Sequence, residues 1–368
     1  MVEPPATIYD VAARAGVSIA TVSRAINALD SVRPETRNRV LAAMAELEFV
    51  PNSVARGLSS GKHWILGLVF MRAGVDSGVL GVEEASLLYT DIVIRGAETR
   101  AAHHGFSLLL SSSDDSHPSN MSSLLNLTGT VDGLILLDRV LKDEDVAFLS
   151  KKIPIVLLSG HGDLPTATTV RVDNERAMRD LAEHLVTIHG VTSVGFVTGS
   201  QNSPDSVART NAFLGAIADM GGTADPHDLL ESDWTSAGGE AAMRQRLQTD
   251  RPLPQAFACA NDQTAVGVIH ALGEHGFRVP DDVIVTGFDD ISLTRYFSPS
   301  LTTIRQSGSI LGEVAVDALV ALLDDPDGAK TTIVLPTQLI VRASCGCVED
   351  GDADNGAAVD RYAARVSS

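Results

Sequence analysis

Three cysteines in 368 residues are too few for a disulfide framework, and only Cys345 and Cys347 stand close together. A lone C-x-C is a weak metal signature, so both read as inert thiols, and neither a metal nor a cofactor is expected. No apolar run reaches the roughly 18 residues that mark a membrane span, and the amino end lacks the apolar core of an export signal. The expected compartment is therefore the reducing cytoplasm. No G-x-S-x-G, G-x-G-x-x-G, P-loop or H-E-x-x-H occurs, so the common catalytic and nucleotide-binding devices are missing. His103 and His104 have no accompanying Cys or suitably spaced acids and read as a solvated helix end. An enzyme is not expected.

Positive charge is also scarce. The formal net charge is −19, which argues against a nucleic-acid partner for the chain as a whole, because affinity for DNA comes largely from neutralising phosphates. The distribution reverses that reading. Residues 1–62 hold seven Lys/Arg against six acids, a balance of +1, which leaves −20 on the remainder. Such asymmetry fits a nucleic-acid-binding head on an acidic body. Hydrophobic residues at 44% and charged residues at 20% exclude wholesale disorder, and the length exceeds what one hydrophobic core organises.

Residues 7–47 predict three short helices. Thr7 and Asp10 have capping-box spacing, and Ile8, Val11, Ala12 and Ala15 supply an apolar stripe that ends at Gly16. Ser18 is placed to cap a second helix reaching Asn27, with Val22, Ala25 and Ile26 facing inward. Pro34 suits the first turn of a third, in which Val40, Leu41, Met44 and Leu47 recur at helical spacing. Pro51 and Asn52 break the pattern. The following segment to Ser60 is a linker able to form one or two turns, although Gly57 costs about 1 kcal/mol of helix propensity and isolated helices this short are marginal.

Beyond residue 63, short apolar runs alternate with helical stretches. The runs are Ile65 to Phe70, Phe106 to Leu110, Val131 to Leu137, Ile153 to Leu158, Val194 to Val197, Ala256 to Ala260 and Val283 to Gly287. Between them lie helical patterns such as Asn174 to His189, Ser236 to Leu247 and Asp262 to His275. β-Branched runs separated by helices indicate parallel sheets covered on both faces. The runs are too many for one sheet, so two doubly wound lobes are expected, with a ligand at the carboxyl ends of the strands between them. The fold class is α/β, with a three-helix head and a two-lobed body. The acidic stretch after Arg342, residues 343–368, is expected to be disordered.

The run TIYDVAARAGVSIATVSRAIN, residues 7–27, resembles the helix-turn-helix of the lactose-repressor (LacI/GalR) family, and the likeness continues through PETRNRVLAAMAELEFVPNSVARGL. It divides the chain into a helix-turn-helix head (1–50), a hinge helix (51–62) and a periplasmic-binding-protein-like effector and dimerisation domain (63–342). The resemblance implies a recognition helix in the major groove, with Ile19, Ala20, Thr21 and Arg24 toward the bases and Thr7, Ser18, Ser23, Asn27 and Arg33 toward the backbone. Arg24 is the candidate for a bidentate contact to guanine. Arg33 departs from the pattern, standing before Pro34 where many relatives have a capping Ser or Thr. In the hinge, Asn52, Ala55 and Leu58 would meet the minor groove, with Leu58 as an apolar wedge.

In the body, FACANDQTAVGVIHALGEHGFRVPDDVIVTGFDDI and SPSLTTIRQ carry the likeness. It implies an effector cleft formed by Arg209, Trp234, Asn261 and Asp289, joined by Tyr89 and Ser159. Asp and Asn accept from and donate to vicinal hydroxyls, Arg donates in a fixed fork, and Trp covers the C–H face of a ring, a set that suits a carbohydrate. Ser159 replaces an Asp of several sugar-responsive relatives, and the loop from Met71 to Tyr89 is longer than usual. Asp289, Asp290 and Asn261 could also serve only as helix caps, and Trp234 as core. The expected molecule is a homodimeric regulator, a repressor, on a pseudo-palindromic operator, with no membrane partner. No leucine heptad follows Arg342, so a coiled-coil tetramer is not expected. A transport solute-binding protein would share the body but needs an export signal and no head. A purine or phosphorylated corepressor is the competing ligand class.

Overall fold

The computed structural model describes residues 6–27, 32–49, 62–71, 88–113, 120–137, 141–159, 164–200 and 203–347. The hinge expectation, including Asn52, Ala55 and Leu58, lies outside the described residues, as does most of the loop between Met71 and Tyr89. The chain divides into two compact units, residues 1–64 and 65–368.

The first unit contains α1 (Ile8–Ala15), α2 (Ile19–Asn27) and α3 (Pro34–Glu46). Val11, Ala12, Ala15, Val22, Ala25, Val40 and Ala43 form its core. The amide and hydroxyl of Thr7 both donate to Asp10 Oδ2, at 2.8 and 2.7 Å, fixing the start of α1. Gly16 ends it at φ +63°, a conformation that costs a residue with a Cβ far more than glycine. Arg39 of α3 donates to Ala15 O at 2.6 Å, and Arg14 pairs with Glu46. The turn between α1 and α2 is thus held from the third helix.

The second unit has two parallel sheets. Its strands and helices run β1 (Ile65–Met71), α4 (Leu88–His103), β2 (Ser107–Ser113), α5 (Asn120–Leu127), β3 (Gly133–Leu137), α6 (Asp143–Leu149), β4 (Ile155–Leu158), β5 (Thr168–Val172), α7 (Asn174–His189), β6 (Ser193–Val197), α8 (Pro204–Asp219) and β7 (Thr223–Leu230). They continue as α9 (Ser236–Leu247), β8 (Ala256–Cys259), α10 (Asp262–Glu274), β9 (Ile284–Thr286), α11 (Leu293–Tyr296), β10 (Thr303–Arg305), α12 (Gly308–Asp324), β11 (Thr332–Leu335) and β12 (Gln338–Ile340). One sheet has the order β11-β5-β4-β3-β1-β2 and the other β7-β6-β8-β9. Every pairing in both is parallel.

Both sheets are covered on two faces, as uninterrupted apolar strands require. Val69, Leu134, Leu136 and Leu157 pack under Leu124, Val146 and Leu149 on one side of the first sheet. On its other side α12 comes so near that a Cβ on Gly133 would stand 2.7 Å from Leu319. In the second sheet Phe257, Cys259 and Val285 meet Met243, Val268 and Leu272, while Phe196 packs against Phe213 of α8 at 5.7 Å between ring centres.

The chain crosses between the lobes three times: from β5 into α7, from β9 through β10 into α12, and from β11 into β12. Strands β10 and β12 pair antiparallel along two of these crossings. Residues 343–347 correct the expected tail boundary. Ala343–Cys345 form a 3-10 helix that is pinned by Ser344, whose hydroxyl donates to Val285 O at 2.6 Å and accepts from Thr302 N at 2.9 Å. Residues 348–368 lie outside the described residues. Among the described residues, no helix is long and apolar enough to cross a membrane.

Candidate functional site

On the head, α2 presents Ile19, 39% exposed, with Ala20 and Arg24 also exposed at and after its leading end. Arg24 Nε donates to Ala20 O at 3.2 Å, which lays the guanidinium along the outer face of the helix. Thr21 is half-buried, its hydroxyl 2.8 Å from that of Ser18, and its amide donates to Ser18 Oγ at 3.2 Å. Ser18 therefore caps α2 as its position suggests. Ser23 is half-buried. Asn27 is the last residue of α2, and its side chain lies outside the description. Arg33 is exposed and makes no side-chain cap for α3. Thr7 is exposed, with its hydroxyl committed to Asp10. Tyr9 is 68% exposed on α1.

In the second unit, a second constellation forms at the carboxyl ends of the strands. Arg209 of α8 is buried. Its Nε donates to Asn174 Oδ1 at 2.9 Å and its Nη1 to Ala260 O at 2.8 Å. Nη1 also lies 3.9 Å from Asp289 Oδ1. The guanidinium stacks on Phe288, 3.6 Å from the ring centre, and stands 5.7 Å from that of Trp234. Asn174 donates in turn to Asp205 Oδ1 at 2.7 Å, and Gln306 Nε2 donates to Asp289. Asn174, Asp205 and Gln306 were not singled out in the sequence. Asn174 opens α7 directly after β5, Asp205 is the second residue of α8, and an expectation that carried β5 would have placed Asn174 there.

Asp289 carries a raised pKa, pushed up to about 7, first by burial and further by Asp205, against the pull of Arg209 and Gln306. The Tyr89 phenol is also held well above its ordinary range, by burial first and then by Asp289. Tyr89 Oη and Gln306 Oε1 are buried polar atoms with no hydrogen-bond partner among the described residues, an arrangement that costs free energy unless something else supplies the bond. Leu88 N donates to Gln263 Oε1 at 3.0 Å, joining the start of α4 in one lobe to α10 in the other.

The backbone is strained here. Trp234, Asp289, Asp290 and Ser159 have φ of +75°, +121°, +58° and +62°, a region that non-glycine residues enter rarely and at a cost of about 1–3 kcal/mol each. Trp234 lies half-buried against Gly199, where a Cβ would approach its indole to 2.3 Å. Asn261 caps α10, accepting from Thr264 N at 3.0 Å, and donates to Trp234 O at 2.9 Å. Its amide thus serves the cap and also fixes the Trp234 turn. Asp290 has a structural place, pairing with Arg305 at 2.6 Å, with the buried Arg342, and with Arg295 at 3.8 Å. Ser159 ends β4, is buried, and donates its amide to Val170 O; it stands apart from the hydrogen bonds of the Arg209 group. Beneath the site, Asp262 is fully buried, accepting from Ile291 N at 2.9 Å and from the Thr303 hydroxyl. Burial and the neighbouring Asp289 hold it well above the usual carboxylate range.

Comparison with known proteins finds matches to both units of the chain. The family described as bacterial regulatory proteins, lacI family, matches residues 7–52, and the periplasmic binding protein-like domain matches residues 182–345. Catabolite control protein A of Priestia megaterium is 30% identical over 341 residues, 92% of this chain and 98% of that one. The HTH-type transcriptional repressor PurR of Pasteurella multocida is 30% identical over 346 residues, with the same shares covered. A lac repressor dimer bound to operator and an anti-inducer superposes with a TM-score of 0.78 at 29% identity, over 93% of this chain and 99% of that one. A CelR–cellobiose complex superposes at 0.67 with 27% identity, over 92% and 99%. With a helix-turn-helix head and a two-lobed body matched over nearly their whole length by transcriptional regulators, not enzymes, the chain belongs to the LacI family of DNA-binding transcriptional regulators.

Proposed function

We propose that the chain is a repressor that binds a pseudo-palindromic operator as a homodimer, and that a sugar held between its two lobes controls that binding. The observation that carries the reading is the buried Arg209–Asp289 pair, set beside Trp234 and near Tyr89, whose hydroxyl has no hydrogen-bond partner among the described residues. A carboxylate and a guanidinium offer the acceptor and the fork that vicinal hydroxyls need, and the indole offers an apolar face. The strained backbone at Trp234 and Asp289 supports a binding role, since such strain collects at ligand clamps. Asn261 contributes by holding the Trp234 turn as well as by its own amide, and Ser159 is assigned to the same site from the opposing lobe on the family resemblance alone. The sugar ligand named for the CelR complex lies in the same fold, which favours a carbohydrate over a purine or phosphorylated corepressor.

In the head, Ile19, Ala20, Thr21 and Arg24 read base edges, while Thr7, Ser18, Ser23, Asn27 and Arg33 position the backbone. Asn52, Ala55 and Leu58 are assigned to a hinge that meets the minor groove. A dimer follows from the need for two recognition helices on two half-sites. A ligand that alters lobe geometry then alters the spacing of the paired hinges.

The test is a thermal-shift screen of the full-length chain against sugars, nucleobases and sugar phosphates, followed by selection of operator from random duplex with and without each hit. A ligand at 100 times its dissociation constant adds about 2.7 kcal/mol of stability. A stabilising sugar that changes operator affinity is the expected result. Stabilisation by nucleobases alone would overturn the carbohydrate assignment, and no sequence preference in any duplex would overturn the whole reading.

A further inference from the structure

Four side chains unused by either constellation converge at one point of the second lobe. His184 and His189 come from the last turns of α7, and Cys345 and Cys347 from the arm that follows β12. The two Nε2 atoms are 3.3 Å apart. Cys345 Sγ lies 3.5 Å from His184 Nε2, and Cys347 Sγ lies 3.4 Å from His189 Nε2 and 3.9 Å from His184 Nε2. All four ligand atoms fall within 4.8 Å of one another.

These distances are the edges of a tetrahedron around a metal ion. Zinc binds imidazole nitrogen at about 2.0–2.1 Å and thiolate sulfur at about 2.3 Å, so a tetrahedral site needs N···N near 3.3 Å and N···S near 3.5 Å. The two cysteines and two histidines form the common Cys2His2 donor set, and five-residue spacing of the histidines falls within the range seen for such sites. Two soft thiolates with two imidazoles select zinc over the hard, oxygen-seeking cations.

The approach is built into the arm. Arg342 is buried and donates to Leu301 O at 2.9 Å and to Thr294 Oγ1 at 3.1 Å, and Ser344 is bonded on both sides. Gly346, between the two cysteines, adopts φ +91°, which folds the chain back so that both sulfurs reach the same side. A residue with a side chain would be strained there. On the helix, Gly190 takes the left-handed cap directly after His189. In the second group of candidate ligands, Glu240, His270 and Glu274, Glu240 is half-buried and the other two are exposed, and both carboxylates are already paired with Arg244.

We propose that His184, His189, Cys345 and Cys347 bind a zinc ion that clamps the carboxyl-terminal arm to α7. All four positions are supplied by protein, so the site is closed and structural, with no position for a substrate. Binding releases the thiol protons, and the ion stabilises the folded arm because the unfolded chain does not assemble the set. The other end of α7 begins at Asn174, which holds Arg209, so the clamp anchors the helix that shapes the effector site without touching it.

The full-length chain, purified under reducing conditions, is assayed for bound metal and, after chelation, titrated with cobalt(II). One zinc per chain is expected, together with the visible bands of tetrahedral cobalt and a thiolate-to-cobalt charge-transfer band. Cys347→Ser and His189→Gln lose the tetrahedral cobalt bands at the cobalt concentration that saturates the parent, and chelator lowers the Tm of the parent but not of either variant. His270→Ala leaves metal content and spectrum as in the parent. Substoichiometric zinc with octahedral cobalt spectra in the parent overturns the proposal. Because the decisive spectrum is recorded on the parent, a variant that fails to fold does not shield the proposal. A zinc clamp can fail while the sugar screen succeeds, so the two readings are separable.

Discussion

Arg209 Nη1 and Asp289 Oδ1 lie 3.9 Å apart, in two side chains that are 4% and 5% exposed. Eighty positions separate them in the chain, and each is also held by a neutral amide: Asn174 for the arginine and Gln306 for the aspartate. A pair this buried is weak evidence for stability, but it is a preset frame for a polar ligand.

Asp289→Asn keeps the shape of the side chain and tolerates the positive φ better than other residues. Losing one charge-assisted hydrogen bond of about 1.5–3 kcal/mol lowers effector affinity roughly 10–100-fold. Operator affinity without effector stays as in the parent. Isothermal titration and operator binding measure the two, and unchanged effector affinity removes Asp289 from the site.

The same variant reports on pH. The folded protein retains the Asp289 proton up to about pH 7, whereas the free side chain releases it near 3.8. Between those values the folded state binds more protons, so this contribution to stability is complete below the unfolded value and is lost as pH rises through the folded one. Asp262 is shifted the same way. The stability of the parent therefore falls relative to Asp289→Asn as pH rises, by up to about 1.4 kcal/mol per pH unit, its Tm falls with it, and the gap levels off above about pH 7. A Tm gap independent of pH would show that Asp289 titrates normally.

Gly199→Ala places a Cβ within 2.3 Å of the Trp234 indole. Overpacking of this kind costs about 1–3 kcal/mol, and here it also tilts the ring that covers the ligand. The expected result is a lower Tm with a larger proportional loss of effector affinity. Pairing it with Trp234→Ala restores Tm but not binding. If Gly199→Ala binds effector normally, the indole does not cover it.

Arg24→Ala and Arg33→Ala separate base reading from backbone positioning. The first relaxes preference at one operator position by about 1–3 kcal/mol. The second weakens all sequences alike and reduces the slope of log affinity against log salt by about 0.9 for each phosphate that is no longer neutralised. Equal loss across every operator variant for Arg24→Ala contradicts its base-reading role.

The three head helices were legible because each has its own end chemistry: Thr7 with Asp10, Ser18 before Ile19, Pro34 at a first turn. The buried strands of the body were legible as apolar runs. Strand β7 was not, since its sequence TADPHDLL is polar and holds Pro226; it forms because it lies at a sheet edge and shifts register against β6 between Val194 and Phe196, where proline is tolerated. Strand β5, with Thr168 and Thr169 buried, hides behind the same polarity. His104 read as solvated, yet its Nε2 meets Asp317 Oδ1 at 2.7 Å, a partner 213 positions away. Distance hid the histidine–cysteine cluster in the same manner: C-x-C alone says little, and only the fold brings α7 to the arm.

The lobe that opens with Ile65 is not finished until α12 covers its face and β11 joins β5 as its edge strand, ending at Leu335. During synthesis both halves of the body therefore remain incomplete until nearly the whole chain has left the ribosome, and they mature together. A stop codon anywhere before Thr332 leaves one lobe without its edge strand and deprives the other of β12, so neither lobe can be inherited, swapped or shed as an uninterrupted cassette.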